Sequence, residues 1–356
     1  MKKQLNHFNG LDTLRFFSAF AIIIYHSTLG FVNRFYPSVK MFFHNLTLGV
    51  ESFFIISGFL IVYLLLLEKE KTNSISLMNF YIRRTLRIFP LYFFVIGVAY
   101  CTYHTSNPEI NFTKYAFFCG NFAVIEADKW TVGILNPLWS LSIEEHFYLV
   151  IPFLILLTPI KKLNYLFLGV IFSSIAFRFV ATFHGSWMIY YCHTLSRMDS
   201  LAVGGLIAYY YHQDKSIFRN ITSRYIGIAL VFLVFFMSIL DVSNYELISY
   251  VLFKKYLFIF PIVIIFIGFV LNDTNQQPIM KWFKNNKIIN YLGKISFGLY
   301  MYHLPIGDFI SQYEFMKTHH FIRILTLISL TILVSAISYE LFEKQILKLK
   351  RKFEVI

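Results

Sequence analysis

Charge is scarce in this sequence. Only 14% of its 356 residues are Asp, Glu, Lys or Arg, against about 25% in a soluble globular domain. Acidic residues are the scarcer kind, 19 against 32 basic ones, which leaves a net charge of +13. Cysteine occurs three times, as Cys101, Cys119 and Cys192. That odd number, at spacings that match no metal or redox motif, gives no disulfide framework. The apolar stretches lack strict apolar–polar alternation, which excludes a transmembrane β-barrel. Also missing are internal repeats, low-complexity tracts, phosphate-binding glycine loops and dinucleotide fingerprints. No group of His, Cys, Asp and Glu has metal-ligand spacing, so neither a metal nor a tightly bound cofactor is expected.

What the chain has in quantity is apolar surface. Hydrophobic residues make up 57% of it, and Phe alone occurs 42 times. Ten apolar segments recur, roughly at 11–31, 47–67, 88–104, 138–159, 163–183, 198–212, 224–240, 254–271, 294–311 and 322–343. The sixth is short for a bilayer, which predicts a tilted or broken helix. "YAFFCGNFAVI" at 115–125 is too short to span and reads as re-entrant or interfacial. The expected fold is an all-α integral membrane protein, a bundle of about ten transmembrane helices forming one membrane domain over 1–356. "MKKQLNHFNG" begins like a signal peptide, but no small-residue cleavage site follows, so the first helix is expected to be retained. The last span ends close to the end of the sequence, so no extra soluble domain is expected.

Lys and Arg sort into alternate loops. Lys2 and Lys3, then Lys69, Lys71, Arg83, Arg84 and Arg87, then Lys161 and Lys162 all fall on one side. So do Lys215, Arg219 and Arg224, the lysines 281, 284, 287 and 294, and the basic C-terminal stretch. That face is expected to be cytoplasmic, with both termini inside. The longest opposite loop, about 105–137, holds Glu109, Glu126 and Asp128. Net charge is therefore a topology signal plus attraction to anionic lipid, and does not point to nucleic acid.

Against this background the polar residues inside apolar helices stand out. "RFFSAFAIIIYH" places Arg15 and His26 eleven residues apart, close to three helical turns, on one face and roughly 16 Å apart along the axis. A charge at that depth is expected to face protein or a water-filled cavity. Taken alone, Arg15 reads equally as a snorkelling anchor paired with Asp12, and His26 more readily as a helix-packing hydrogen bond. Their company shifts the reading. "LGVESFFIISGFL" puts Glu51 at the outer start of the second span. "NPLWSLSIEEHFY" adds Glu144 and Glu145 to the fourth, with Ser140, Glu144 and Tyr148 on one face. "RMDSLAVGG" supplies Arg197 and Asp199 above Gly204 and Gly205, and "ISFGLYMYHLPI" places His303 in mid-span.

These pieces resemble the membrane-bound acyltransferase family 3, whose members O-acetylate bacterial polysaccharides. The resemblance rests on Arg15-x10-His26, "FFIISGFLI", "RRTLRIFPLY", "NPLWSLSIEEHFY", "RMDSLAVGG" and "ISFGLYMYHLPI", in the family's order over nearly the whole chain. Glu51 departs from it by standing where many members carry Asp. The resemblance implies transfer of an acyl group, usually acetyl, from cytoplasmic acyl-CoA to a sugar hydroxyl. The acceptor would be O-antigen, capsule, exopolysaccharide or a lipid-linked sugar at the bacterial cytoplasmic membrane.

The residues suit such chemistry. A sugar hydroxyl needs a base near neutral pH, and imidazole is the usual one. His26 is therefore expected to act as general base or to carry the acyl group transiently. Glu144 would orient it or bind acceptor hydroxyls, with Glu145 as alternate, and Arg15 would help hold the donor. Arg83, Arg84 and Arg87 form a basic cluster able to bind coenzyme A phosphates, although lipid headgroups explain such a cluster equally well. Trp139 suits sugar stacking or, more readily, the membrane interface. Glu51, Arg197, Asp199 and His303 complete the expected acceptor-binding set, with an Asp199–Arg197 ion pair and an interhelical His303 bond as structural alternatives. A transporter or flippase of glycan precursors would also place charges in the membrane, but it predicts two related halves, and none is found. A non-catalytic partner or sensor in a glycan-assembly complex would tolerate loss of His26.

Overall fold

The computed structural model describes residues 8–183, 186–240, 255–272 and 277–353. Among these residues all regular structure is helical. The longer helices are α1 (Leu11–Phe35), α2 (Gly49–Thr72), α3 (Leu77–Tyr103), α4 (Leu138–Leu157), α5 (Leu163–Ala181), α6 (Thr194–Gln213), α7 (Ser223–Ile239), α8 (Lys255–Phe266), α9 (Ser296–Ile310) and α10 (His320–Ser338).

Six of the helical stretches are long and apolar enough to cross a membrane: those containing α1, α2, α3, α4, α5 and α10. The stretches containing α7 and α8 are apolar but shorter. Two expected boundaries are corrected. The sixth segment is not short: α6 has 20 residues, about 30 Å of helix. It looked short because its first turn, Thr194–Arg197, is polar. The third segment begins at Leu77 rather than near 88, so the arginine cluster lies within a helix and not before one. Lys2, Lys3 and position 254, the expected start of the eighth segment, lie outside the described residues.

α2 and α6 form the central pair, and glycine sets their distance. A Cβ on Gly58 would stand 2.0 Å from the Leu201 carbonyl oxygen, and one on Gly204 would stand 2.2 Å from that of Ile55. Small residues at such positions let helix backbones close, which is how membrane helices gain contact without a hydrophobic driving force. Phe54, Ile55, Phe59 and Leu66 are buried around this seam. α1 packs on α2, α9 and a short helix, Lys287–Lys294; α10 packs on α9, and α7 on α8. Away from the core, Phe172, Val231, Phe321 and Leu333 stay exposed, as faces that meet lipid should. Pro90, Pro152, Pro261 and Pro305 lie inside helices. At the end of α4, Lys69 donates to the carbonyls of Ile155, Leu156 and Thr158 at 2.6, 3.0 and 2.8 Å, groups a helix end leaves unpaired.

Residues 115–125 form no span. They fold into two short helices, Phe112–Ala116 and Gly120–Ala127, joined through Phe118 in the left-handed region at φ 56°. Tyr92 holds them by donating to the Tyr115 carbonyl at 2.8 Å, and Asn121 by donating to the Cys192 carbonyl at 3.1 Å.

Candidate active site

Two helices bring three cations to one cavity. Arg15 of α1 and Arg84 and Arg87 of α3 line it, opposite Ser140, Glu144 and Tyr148 of α4. Ser57 of α2 and Ser296 and Tyr300 of α9 complete the polar lining. The i,i+4 spacing of Ser140, Glu144 and Tyr148 puts all three on the cavity face, as the sequence suggests. Glu144 is fixed there: Tyr148 donates to its Oε2 at 2.5 Å and Ser57 at 3.0 Å. The guanidiniums are less occupied. Arg15 has an ionic contact with Asp12 at 3.5 Å. Arg84 lies over the Tyr148 ring, 5.6 Å from its centroid, and its Nε is buried without a hydrogen-bond partner. Glu145 Oε1 is likewise buried without a partner. Three guanidiniums therefore share the cavity with one carboxylate.

Arg83 belongs elsewhere. It donates to the Phe353 carbonyl at 2.7 Å and pairs with Glu68 at 3.3 Å. Of the trio expected to bind coenzyme A phosphates, the helix turns Arg84 and Arg87 toward the cavity and Arg83 toward the chain's end, so Arg83 does not join them.

His26 does not line this cavity. The residue is exposed, although protein surrounds it on most sides. The expected orienting contact from Glu144 is absent, because that carboxylate's bonds go to Ser57 and Tyr148. His26 Nδ1 instead lies 3.0 Å from the Ile22 carbonyl oxygen and 3.1 Å from Nε2 of His303. His303 is buried on α9, with Nδ1 at 2.7 Å from the Tyr300 carbonyl oxygen. Tyr300 thus touches both places: its backbone holds the histidine pair, and its hydroxyl meets Ser140 on the cavity wall at 2.8 Å.

The remaining expected site residues form a separate ion cluster. Asp199 bonds Lys255 at 2.6 Å, Arg178 at 2.8 Å and the Tyr256 hydroxyl at 2.9 Å. Glu51 pairs with Arg197, accepts from Ser200, and stands 3.5 Å from Lys255. The expected Asp199–Arg197 pair is thus corrected: each of the two has taken another partner. Trp139 is also corrected. It is only 5% exposed, so it is no interface anchor. It packs 5.0 Å from the Tyr191 ring, and both rings cover the Arg197 guanidinium.

Sequence reasoning missed Tyr300, Arg178 and Lys255. Arg178 was visible as a lone arginine near the end of an apolar span, the same signal that drew attention to Arg15. Tyr300 carried no signal of its own among so many aromatics.

A family model described as an acyltransferase domain matches residues 8–340. The chain belongs to this acyltransferase family. It is also similar to the O-acetyltransferase OatA of Staphylococcus aureus strain NCTC 8325, 29% identical over 95% of this chain and 57% of that protein. A protein of S. aureus strain COL, whose O-acetyltransferase name is provisional, is 27% identical over 96% of this chain and 57% of its own length. The chain thus spans a little over half the length of these curated relatives. No solved structure matches it.

Proposed function

We propose that this chain is a membrane O-acetyltransferase that moves an acetyl group from acyl-CoA to a hydroxyl of a cell-surface or lipid-linked sugar. Family membership and the names of its relatives support acetyl transfer to oxygen. The observation that carries the reading is the cavity in which three guanidiniums outnumber one carboxylate, one of them, Arg15, on the same helix as His26. Guanidiniums bind phosphates through paired donors, and coenzyme A carries several phosphates.

In this reading the bundle spans the bacterial cytoplasmic membrane about ten times, with α6 to α9 completing the six long spans, and forms a single domain. Both termini are cytoplasmic, by the distribution of Lys and Arg. Arg15, Arg84 and Arg87 hold the donor from the inner side, and Glu144, with Glu145 beside it in sequence, supplies the carboxylate opposite them. His26 takes the proton from the acceptor hydroxyl as its oxygen attacks the thioester carbonyl. The tetrahedral adduct collapses, the carbon–sulfur bond breaks, and the thiolate leaves and takes up a proton. Glu51, Arg197, Asp199 and Trp139 serve the scaffold.

The test is His26→Ala in cells whose glycan acetate is measured by NMR. Acetylation should fall at least about 100-fold, the usual worth of a general base, with membrane insertion unchanged. Unaltered acetylation in a normally inserted variant overturns the assignment. Labelled acetyl-CoA given to the purified protein separates this reading from transport, which leaves no acetylated product.

A further inference from the structure

Hydrogen-bond chemistry at the histidine pair fixes more than its geometry. A backbone carbonyl only accepts. The 2.7 Å contact of His303 Nδ1 with the Tyr300 carbonyl therefore puts the His303 proton on Nδ1. A neutral imidazole has one N–H, so His303 Nε2 carries a lone pair. That lone pair faces His26 Nδ1 at 3.1 Å, and two lone pairs do not attract. The proton between them belongs to His26 Nδ1. The Ile22 carbonyl, 3.0 Å from the same nitrogen, demands the same proton independently. What remains is His26 Nε2, unprotonated, on an exposed residue.

From this we infer that His303 is a positioning residue: as an acceptor for His26 Nδ1–H it holds His26 in the tautomer whose Nε2 can take a proton from the acceptor. The inference rests on the base role proposed for His26 and names what enforces it. Carboxylates usually fill this place. A buried neutral imidazole, anchored by a carbonyl, does the same without adding a charge to an apolar site. Charged and titratable neighbours are few. Tyr25 packs edge-on to His26 with His44 beyond it, Tyr300 adjoins His303, and Arg323 of α10 reaches the Ser27 carbonyl at 3.4 Å.

Two measurements test this. The first is nitrogen-15 NMR of histidine-labelled protein, with His26→Gln and His303→Gln assigning the two rings among the 11 histidines. Both rings should show the Nδ1–H form, the rarer one for imidazole in water. A proton on His303 Nε2 overturns the proposal. The second is kinetic, with acetyl-CoA as donor and acetylated glycan as readout. His303→Ala should lower kcat about 100-fold with the KM for acetyl-CoA held within about threefold. His303→Gln, whose amide oxygen can accept from His26, should recover most of that loss. A glutamine variant as slow as the alanine one, at equal thermal stability, also overturns the proposal. The NMR result needs no substrate, so it stands even if the alanine variant fails to fold. Absence of any acetyl transfer by the unmodified protein would instead defeat the proposed function, leaving the tautomers to be read by themselves.

Discussion

Two groups of buried charge share this helix bundle and follow opposite plans. In the ion cluster every acid is saturated: Asp199 meets two cations and a phenol, and Glu51 meets two cations and a hydroxyl. In the cavity the acid is held by neutral hydroxyls, and the cations keep donors to spare. Burying an ion costs several kcal/mol unless its partners are complete. A cluster with complete partners is accounted for as architecture, because it ties α2, α5, α6 and α8 together. A set of cations with incomplete partners leaves room for an anionic ligand, the place the proposed donor would take.

The comparison breaks most sharply at Asp199. Asp199→Ala strands Arg178 and Lys255 in the protein interior, and removing one partner from a buried ion group costs about 3–5 kcal/mol. Thermal unfolding in detergent should show a large loss of stability, with acetylation falling only in step with the folded fraction. A variant that is stable yet inactive would move Asp199 from architecture to chemistry.

How much of this was legible beforehand follows the same division. The Arg15–His26 spacing and the Ser140–Glu144–Tyr148 stripe could be read because both follow from the pitch of one helix. Which acid pairs with which base could not. Arg197 and Asp199 are two residues apart on α6 and point in different directions, so their partners come from helices distant in sequence: Glu51 from α2, Arg178 from α5, Lys255 from α8. Depth alone grouped the two sets of charges, and only lateral packing separates them. Likewise His303 was visible as a mid-span histidine, but its contact with His26 joins positions 277 residues apart. Helix starts were blurred where polar residues near them, Arg83, Arg84 and Arg87 in α3 and the first turn of α6, hid the helix from an apolar reading.

A smaller effect is expected at the cavity. Arg84→Gln removes a guanidinium whose Nε is already unpartnered, so stability should hardly change. Losing one charge-assisted contact to phosphate costs about 1.5–3 kcal/mol, so the KM for acetyl-CoA should rise roughly tenfold or more. Isothermal titration with coenzyme A itself checks this without an acceptor. A variant that loses stability and keeps its affinity would place Arg84 with the architectural charges.

The smallest effect, and the sharpest control, lies one residue earlier. Arg83 is chemically identical to Arg84 and shares its helix, its depth and the same basic motif. Its guanidinium, however, is spent on Glu68 and the Phe353 carbonyl. Arg83→Gln should therefore leave coenzyme A affinity within about twofold, with its cost confined to stability, because it loosens the contact between α3 and the C-terminal segment and takes the cation from the buried Glu68. If the motif binds donor through bulk positive charge, the two substitutions will weaken binding equally. If direction matters, only the inward residue will register, because Arg83→Gln removes the same charge from a side chain that points away from the cavity.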